Sequence, residues 1–462
     1  MKLQLSIIAL SLTLASASAQ NGIIDKNELE QIRSSYNQDV STKAIRNAIQ
    51  SNSNLKTLSL DCDVENSFNH TFKYEAKLNK TITDQHSSGR CWMFTSMNVL
   101  RPQLAEHFNL NSFNFSQNFN YFWDIFEKSN LFLENIIDSK DQPIDDRQVV
   151  VYFSSPIDDG GVWNHFYNIS KKYGVVPAEV MPETVHSNAT SSMMSIIKER
   201  LRKGGMDIRN ANDNKAKAAE IEDIKIATLK DIYRTLALCL GEPPVVFDWH
   251  YTDKDGNAQV IKDYTPEQFF TDIVPENYTP QSYIMTMNDP TRPYYKVYDI
   301  ENYRNTQEGA NWVFLNLPAE DLKAAALKSI KAGESMYISC DVGKQLNSKA
   351  GKMAMGMYDV ESLLGIDLSM DKRSRILSRQ SGSSHAMTLM ACDTDEDDKP
   401  TKWRVENSWG DSSGDKGYLT FTDEWFDNYI FRVVVKSEYL DQKAKKALSQ
   451  EVVKLPIWDY MF

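Results

Sequence analysis

Cys91 stands where a polar loop, Gln85-His86-Ser87-Ser88-Gly89-Arg90, runs into a stretch with apolar residues Met93, Phe94, Met97, Leu100 and Leu104 at three-to-four spacing. That spacing predicts a helix from Cys91 to about His107. A helix N-terminus carries unsatisfied N–H groups and partial positive charge, which favours a thiolate, the form of cysteine that attacks a carbonyl. Cys239, Cys340 and Cys392 lie in apolar runs and read as small buried hydrophobes. A thiolate needs a base, and of the seven histidines His385 stands out at the start of an apolar strand, after the flexible Ser381-Gly382-Ser383-Ser384. The acidic run Asp393 to Pro400 reads as a solvated turn between two strands, and Asp398 and Arg404 stand where a calcium loop needs glycine and glutamate. With its tip near Glu396, the hairpin sets His385 opposite Asn407, and opposed residues of an antiparallel pair share a face. An amide beside the imidazole can hold its orientation and tautomer, completing a nucleophile–base–orienter set. A slip by one residue would break that pairing.

Further elements surround this set. Asp158-Asp159-Gly160-Gly161 forms a loop, residues 163 to 173 a helix, and Tyr173-Gly174-Val175-Val176-Pro177 its end. Residues 190 to 240 are a helical block whose stripe of Ile221, Ile224, Leu229, Ile232, Leu236 and Leu240 reads as core packing. Val245 to Tyr251 and Ala258 to Ile261 read as a hairpin, and Thr265-Pro266 with Gln268 as a capped helix start. A helix over 319–332 and a strand over 336–342 precede β-rich segments at 385–392, 403–408, 417–421 and 430–436.

The chain has 462 residues, enough for two lobes plus inserted material. Apolar residues make up 41% and charged residues 25%, an ordinary globular balance. A formal net charge of −12 argues against a nucleic-acid groove, which needs clustered Lys and Arg. Met1-Lys2, the apolar run Leu3 to Leu14 and Ala17-Ser18-Ala19 read as a signal peptide over residues 1–19, so export to a periplasmic or extracellular space is expected. The apolar run is too short to span a bilayer, and no other segment is apolar enough to do so. Five cysteines, an odd number without CxxC spacing, leave at least one thiol free or paired with another chain and give no support to a zinc site or a disulfide scaffold.

Taken in order, Gln85 to Trp92, Asp159-Gly160-Gly161, Tyr173 to Pro177, Cys340-Asp341-Val342-Gly343-Lys344, Ser384-His385-Ala386-Met387, Val405-Glu406-Asn407-Ser408-Trp409-Gly410, Gly417-Tyr418-Leu419 and Thr422 to Phe426 resemble the papain superfamily and, within it, the bleomycin hydrolase/aminopeptidase C family. The resemblance runs from about residue 60 to the end. It implies an α+β, papain-like fold with a helical lobe and a β-barrel-like lobe, a large helical insertion over about 185–300 and a C-terminal arm over about 450–462 in a peptidase domain spanning 20–462. It implies a cysteine aminopeptidase acting on peptides, with Cys91 as nucleophile, His385 as general base and acid, Asn407 as orienter and Gln85 as oxyanion donor. Trp409 would cover the asparagine–histidine bond, and Gly160 and Gly161 would edge the substrate cleft. No metal or organic cofactor is implied.

The same resemblance implies a homohexameric barrel in which the arm's terminal carboxylate holds the substrate α-amino group. Here the tail Leu455-Pro456-Ile457-Trp458-Asp459 continues as Tyr460-Met461-Phe462, shorter than the family's usual arm and ending in an aromatic side chain. Phe462 thereby becomes a substrate-contact candidate, and endopeptidase action or dipeptide release are the alternatives to one-residue trimming. A non-catalytic barrel-forming binding protein is the reading from another class, and the intact Cys91, His385 and Asn407 oppose it.

Overall fold

The structure, a computed structural model, describes residues 22–36, 39–77 and 81–461. The expected signal peptide and Phe462 lie outside the described residues. Two compact units are present: residues up to Ser59 with Val360–Gly365, and Leu60–Asp359 with Ile366–Phe462.

In the first unit, Asp25 caps the helix Lys26–Ser34 through a box with Glu28, and Asp39 caps Val40–Gln50. Neither helix buries a residue, and Ile23, Ile32 and Val40 are exposed.

The second unit holds the candidate site residues among the described residues. Its large sheet runs in the order Val453–Leu455, Lys296–Ile300, Val313–Asn316, Tyr283–Met287, Ile430–Lys436, Met336–Cys340, His385–Thr394, Pro400–Glu406 and Tyr418–Thr422, followed by two short strands. Because strand side chains alternate, the sheet feeds two cores. Tyr337, Ala386 and Phe431 face one that contains the helices, among them Trp92, Met93 and Met97. Ile338, Met387, Leu389 and Val405 face a second, closed by Trp403, Phe421 and Trp425. This is the mixed, two-lobed α+β architecture expected. Each fully buried large apolar side chain contributes about 1.5–3 kcal/mol.

The helix predicted from Cys91 spans Cys91–His107 and packs against the strand His385–Thr394. The helix Trp163–Tyr173 ends at Gly174, whose φ of 73° suits glycine. The helical block resolves into Ser191–Asp213 and Ala218–Leu240. Ile221, Leu229, Ile232, Leu236 and Leu240 of the stripe are buried, as core packing requires. The hairpin Phe247–Thr252 with Ala258–Tyr264 forms its own two-stranded sheet. Thr265 caps the helix Pro266–Ile273 through the anticipated box with Gln268. Tyr283–Met287 and Lys296–Ile300, within the bounds expected for the insertion, join the large sheet.

The hairpin register differs from the symmetric estimate. Thr394 pairs with Pro400, which moves the tip one residue beyond Glu396. Two register shifts, between Leu389 and Ala391 and between Asp393 and Thr394, cancel, so Thr388 pairs with Glu406. Continued by one residue, this puts Asn407 level with Met387 rather than His385. The offset is two residues, so the face is preserved and Asn407 is the diagonal neighbour of His385.

Candidate active site

The sequence from Gln85 to Arg90 is polar because it must turn the chain into a helix without its own repeating hydrogen bonds. The Gly89 N–H donates to Asp159 Oδ2 at 2.7 Å. A Cβ at Gly89 would lie 2.4 Å from the same carboxylate, so only glycine admits that approach. The helix then starts at Cys91 with no side-chain cap, leaving its first-turn amides toward the thiol. Cys91 is half-buried, and all five cysteines are free thiols; Cys340 and Cys392 are buried and Cys62 is exposed.

His385 lines the same cavity as Cys91, and its Nε2 lies 2.8 Å from Asn407 Oδ1. An amide oxygen only accepts, so Nε2 carries the proton and the lone pair resides on Nδ1. The Ser408 N–H donates to the same Asn407 oxygen at 2.8 Å, which fixes which end of the amide meets the histidine. Trp409 lies against the imidazole, with ring centroids 4.8 Å apart and planes tilted by 32°. The indole therefore shields the His385–Asn407 bond from water.

Ser408 also reaches the third expected player. Its hydroxyl donates to Gln85 Oε1 at 2.7 Å, while the Gln85 N–H donates to the Ser408 carbonyl at 2.8 Å. With its oxygen so committed, the Gln85 amide must present its NH₂ the other way. One of those hydrogens goes to the Ser88 carbonyl at 2.7 Å and the second is available to a ligand. Sequence reasoning passed over Ser408, although its place between Asn407 and Trp409 was the available signal.

A cavity of about 730 Å³ is lined by Gln85, Cys91, Gly160, Gly161 and His385 together with Ile457, Tyr460 and Met461 of the C-terminal segment. Residues some 300 apart in sequence thus share one cleft, with Asn407 and Trp409 against His385. A Cβ on Gly161 would fall 2.5 Å from the Trp92 ring. The glycine there is demanded by the packing beneath it as well as by any ligand above it.

The arm enters this cleft along a defined path. Val453–Leu455 pairs in parallel with Lys296–Ile300. Trp458 stacks on Arg147 at 4.4 Å, Asp459 pairs with Arg292 at 2.9 Å and Tyr460 bonds to Thr291. The Met461 carbonyl accepts from Arg432 at 3.0 Å. Arg432, buried and 3.8 Å over the Trp312 ring, also donates to Ser383 at 2.9 Å, two residues before His385.

Burial acts on both reactive groups. It pushes the Cys91 thiol up to about 11, against a downward pull from the backbone amides of Ala386 and Trp92. It pushes His385 down to about 4, against the opposing hydrogen bond to Asn407. Burial thus disfavours either ion taken alone. Because the folded histidine stays unprotonated well below its usual 6.5, the base survives acidification. The acid limb of kcat/KM is expected below pH 6, with activity falling as pH drops through the His385 value. A pH–rate profile checks this, and an acid limb at 6.5 or above contradicts it. His385 also makes folding less favourable as pH falls below 6.5, because the unfolded chain takes up that proton first.

The comparisons with known proteins agree with one another. The Peptidase C1-like family matches residues 23–462. Aminopeptidase C of Lactobacillus delbrueckii subsp. lactis is 39% identical over 386 residues, 82% of this chain and 85% of the relative. Bleomycin hydrolase of Homo sapiens is 39% identical over 402 residues, 85% of this chain and 88% of the relative. The crystal structure of pepw from Lactobacillus rhamnosis HN001 superposes with a TM-score of 0.90 at 34% identity, covering 95% of this chain and 98% of that one. This chain belongs to the Peptidase C1-like family and is a cysteine-type aminopeptidase of the aminopeptidase C and bleomycin hydrolase kind.

Proposed function

We propose that this aminopeptidase hydrolyses peptide bonds through Cys91, His385 and Asn407. The observation that carries the reading is the 2.8 Å His385–Asn407 bond, with His385 and Cys91 lining a shared cavity. In the first step the Cys91 thiol gives its proton to His385 Nδ1 and its sulfur bonds to the substrate carbonyl carbon. The carbonyl oxygen, now an oxyanion, takes hydrogen bonds from the Cys91 backbone N–H and the spare Gln85 N–H. The scissile C–N bond then breaks, the departing amine takes the proton from His385, and a thioester remains. Water, deprotonated by His385, opens the thioester, releases the acid and restores the thiol. Asn407 holds the imidazole in the tautomer both half-reactions require. A Gln85→Ala substitution removes one oxyanion donor and should lower kcat by about 10²–10³-fold with KM little changed, read by steady-state kinetics; an unchanged kcat removes Gln85 from the mechanism.

The finer specificity concerns the arm. In this reading its terminal carboxylate meets the substrate α-ammonium group, limiting cleavage to the first residue. The anchored course of residues 453–461 into the cleft supports it. N-terminally free and N-terminally blocked copies of one peptide, followed by mass spectrometry, test it. Stepwise loss from the free copy alone supports trimming. Cleavage of the blocked copy assigns endopeptidase action instead and removes the arm as a gate.

Export rests on the leader-like residues 1–19, and N-terminal sequencing of the mature protein tests it. Self-association into a hexamer is the remaining part of this reading and is carried over from the family resemblance alone. Light scattering after gel filtration measures the mass directly.

A further inference from the structure

We infer that Lys128, a buried residue outside the proposed reacting set, is a positioning residue that holds the cleft edge in the form a substrate backbone needs. The inference rests on the reading of Cys91 as nucleophile and goes beyond it.

Lys128 lies on the helix Gln117–Asp138, which Ser116 caps and whose other inward residues include Ile125, Leu131 and Phe132. A lysine in such company is costly unless every donor is used. An ammonium has three N–H donors, and here two carbonyls take hydrogen bonds from it and a carboxylate pairs with its charge. They are Asp124 Oδ2 at 2.7 Å, the Gly160 carbonyl at 2.6 Å and the Asp158 carbonyl at 3.1 Å. The Trp92 ring lies 5.4 Å from the same nitrogen. Asp124, itself fully buried, takes a further hydrogen bond from Asn305 at 2.8 Å.

The intervening carbonyl is also claimed. Trp92 Nε1 donates to the Asp159 carbonyl at 3.0 Å, and the Asp159 carboxylate receives Gly89 N–H at 2.7 Å and the Thr190 hydroxyl at 2.6 Å. Three consecutive carbonyls, at 158, 159 and 160, are therefore drawn inward by fixed donors. Gly161 breaks the pattern: among the described residues neither its N–H nor its carbonyl has a hydrogen-bond partner. It lines the cavity beside Cys91. An extended peptide satisfies such an edge by exchanging main-chain hydrogen bonds with it. Lys128, which lines the same cavity, thus ties down the backbone at 158 and 160 immediately before Gly161 and fixes how that residue is presented to a ligand. An ion pair serving stability alone would have no need of two carbonyls from the cleft edge.

The test separates backbone pairing from general integrity. Lys128→Met combined with Asp124→Asn removes the clamp without leaving a lone buried charge. For an N-terminally free tripeptide, kcat/KM is expected to fall at least about tenfold, with most of the loss in KM. Iodoacetamide, which reaches Cys91 without pairing to Gly161, should alkylate the variant within about twofold of the parent rate. A tripeptide KM unchanged in the folded variant overturns the proposal, as does an alkylation rate that falls in step with kcat/KM. Lys128→Arg keeps the charge opposite Asp124 while its planar fork displaces the two carbonyls; the same KM-borne loss is expected there, and its absence counts equally against the clamp. Parent enzyme that still hydrolyses the tripeptide after complete alkylation overturns the nucleophile assignment, and this proposal with it, whatever the variants do.

Discussion

Cys91→Ala is expected to lower kcat by about 10⁴–10⁶-fold with the fold unchanged, the range met when one member of a cooperating nucleophile–base set is removed. The size follows from the geometry. Without the sulfur, His385 has no proton to take and Asn407 orients a base that serves nothing. Removing His385 as well should then add little, since the two act as a unit. Kinetics on Cys91→Ala, His385→Ala and the double variant check this, with circular dichroism to confirm folding. Hydrolysis by Cys91→Ala within tenfold of the parent would falsify the assignment. Losses that multiply in the double variant would show that the two residues act independently.

Glu406→Ala is expected to destabilise the protein by about 3–5 kcal/mol, because it strands a buried cation. Arg101, on the same helix as Cys91 and fully buried, bonds to Glu406, to the Thr81 carbonyl at 2.7 Å and to Asn114 at 3.0 Å. Glu406 immediately precedes Asn407, so this pair joins the helix that carries the thiol to the strand that carries the orienting amide. Burial works against both charges, pushing Arg101 down and Glu406 up, and each is sustained by the other. An Arg101→Met/Glu406→Leu double variant should recover part of the loss, since no buried charge is then left unpaired, while the Thr81 carbonyl and Asn114 still lose their donor. Denaturant unfolding gives the comparison. A loss under about 1 kcal/mol for Glu406→Ala, or a double variant as unstable as the single, would show that the pair is not the tie between these elements.

Much of the site could be read from residue order because its parts sit at element boundaries with local signatures. A glycine-bearing polar loop before an apolar helical repeat marks Cys91 as a helix start. A serine- and glycine-rich segment before an apolar strand marks His385. The acidic turn limited how far Asn407 could be from His385. The tip was misplaced by one residue, yet a two-residue offset in register returns each side chain to its own face. Had the two register shifts not cancelled, the amide would have faced away from the imidazole.

Sequence by itself determined the helix and strand types, the capped helix start at Thr265, the core stripe of Ala218–Leu240 and which residues to consider as the reacting set. These depend on periodicity and nearest neighbours, which a linear pattern records. Tertiary structure alone decided what lies between them. Ser408 joins Gln85 to Asn407, Lys128 and Trp92 claim the carbonyls of the cleft edge, and Arg432 ties the arm to the segment before His385. Each of these is a hydrogen bond between distant stretches, and its partner is set by how the elements pack rather than by any spacing along the chain. The effect of burial on the thiol was hidden for the same reason. A helix N-terminus favours the Cys91 thiolate, but the burial that opposes it arises only once the sheet and the helix have closed over the cleft.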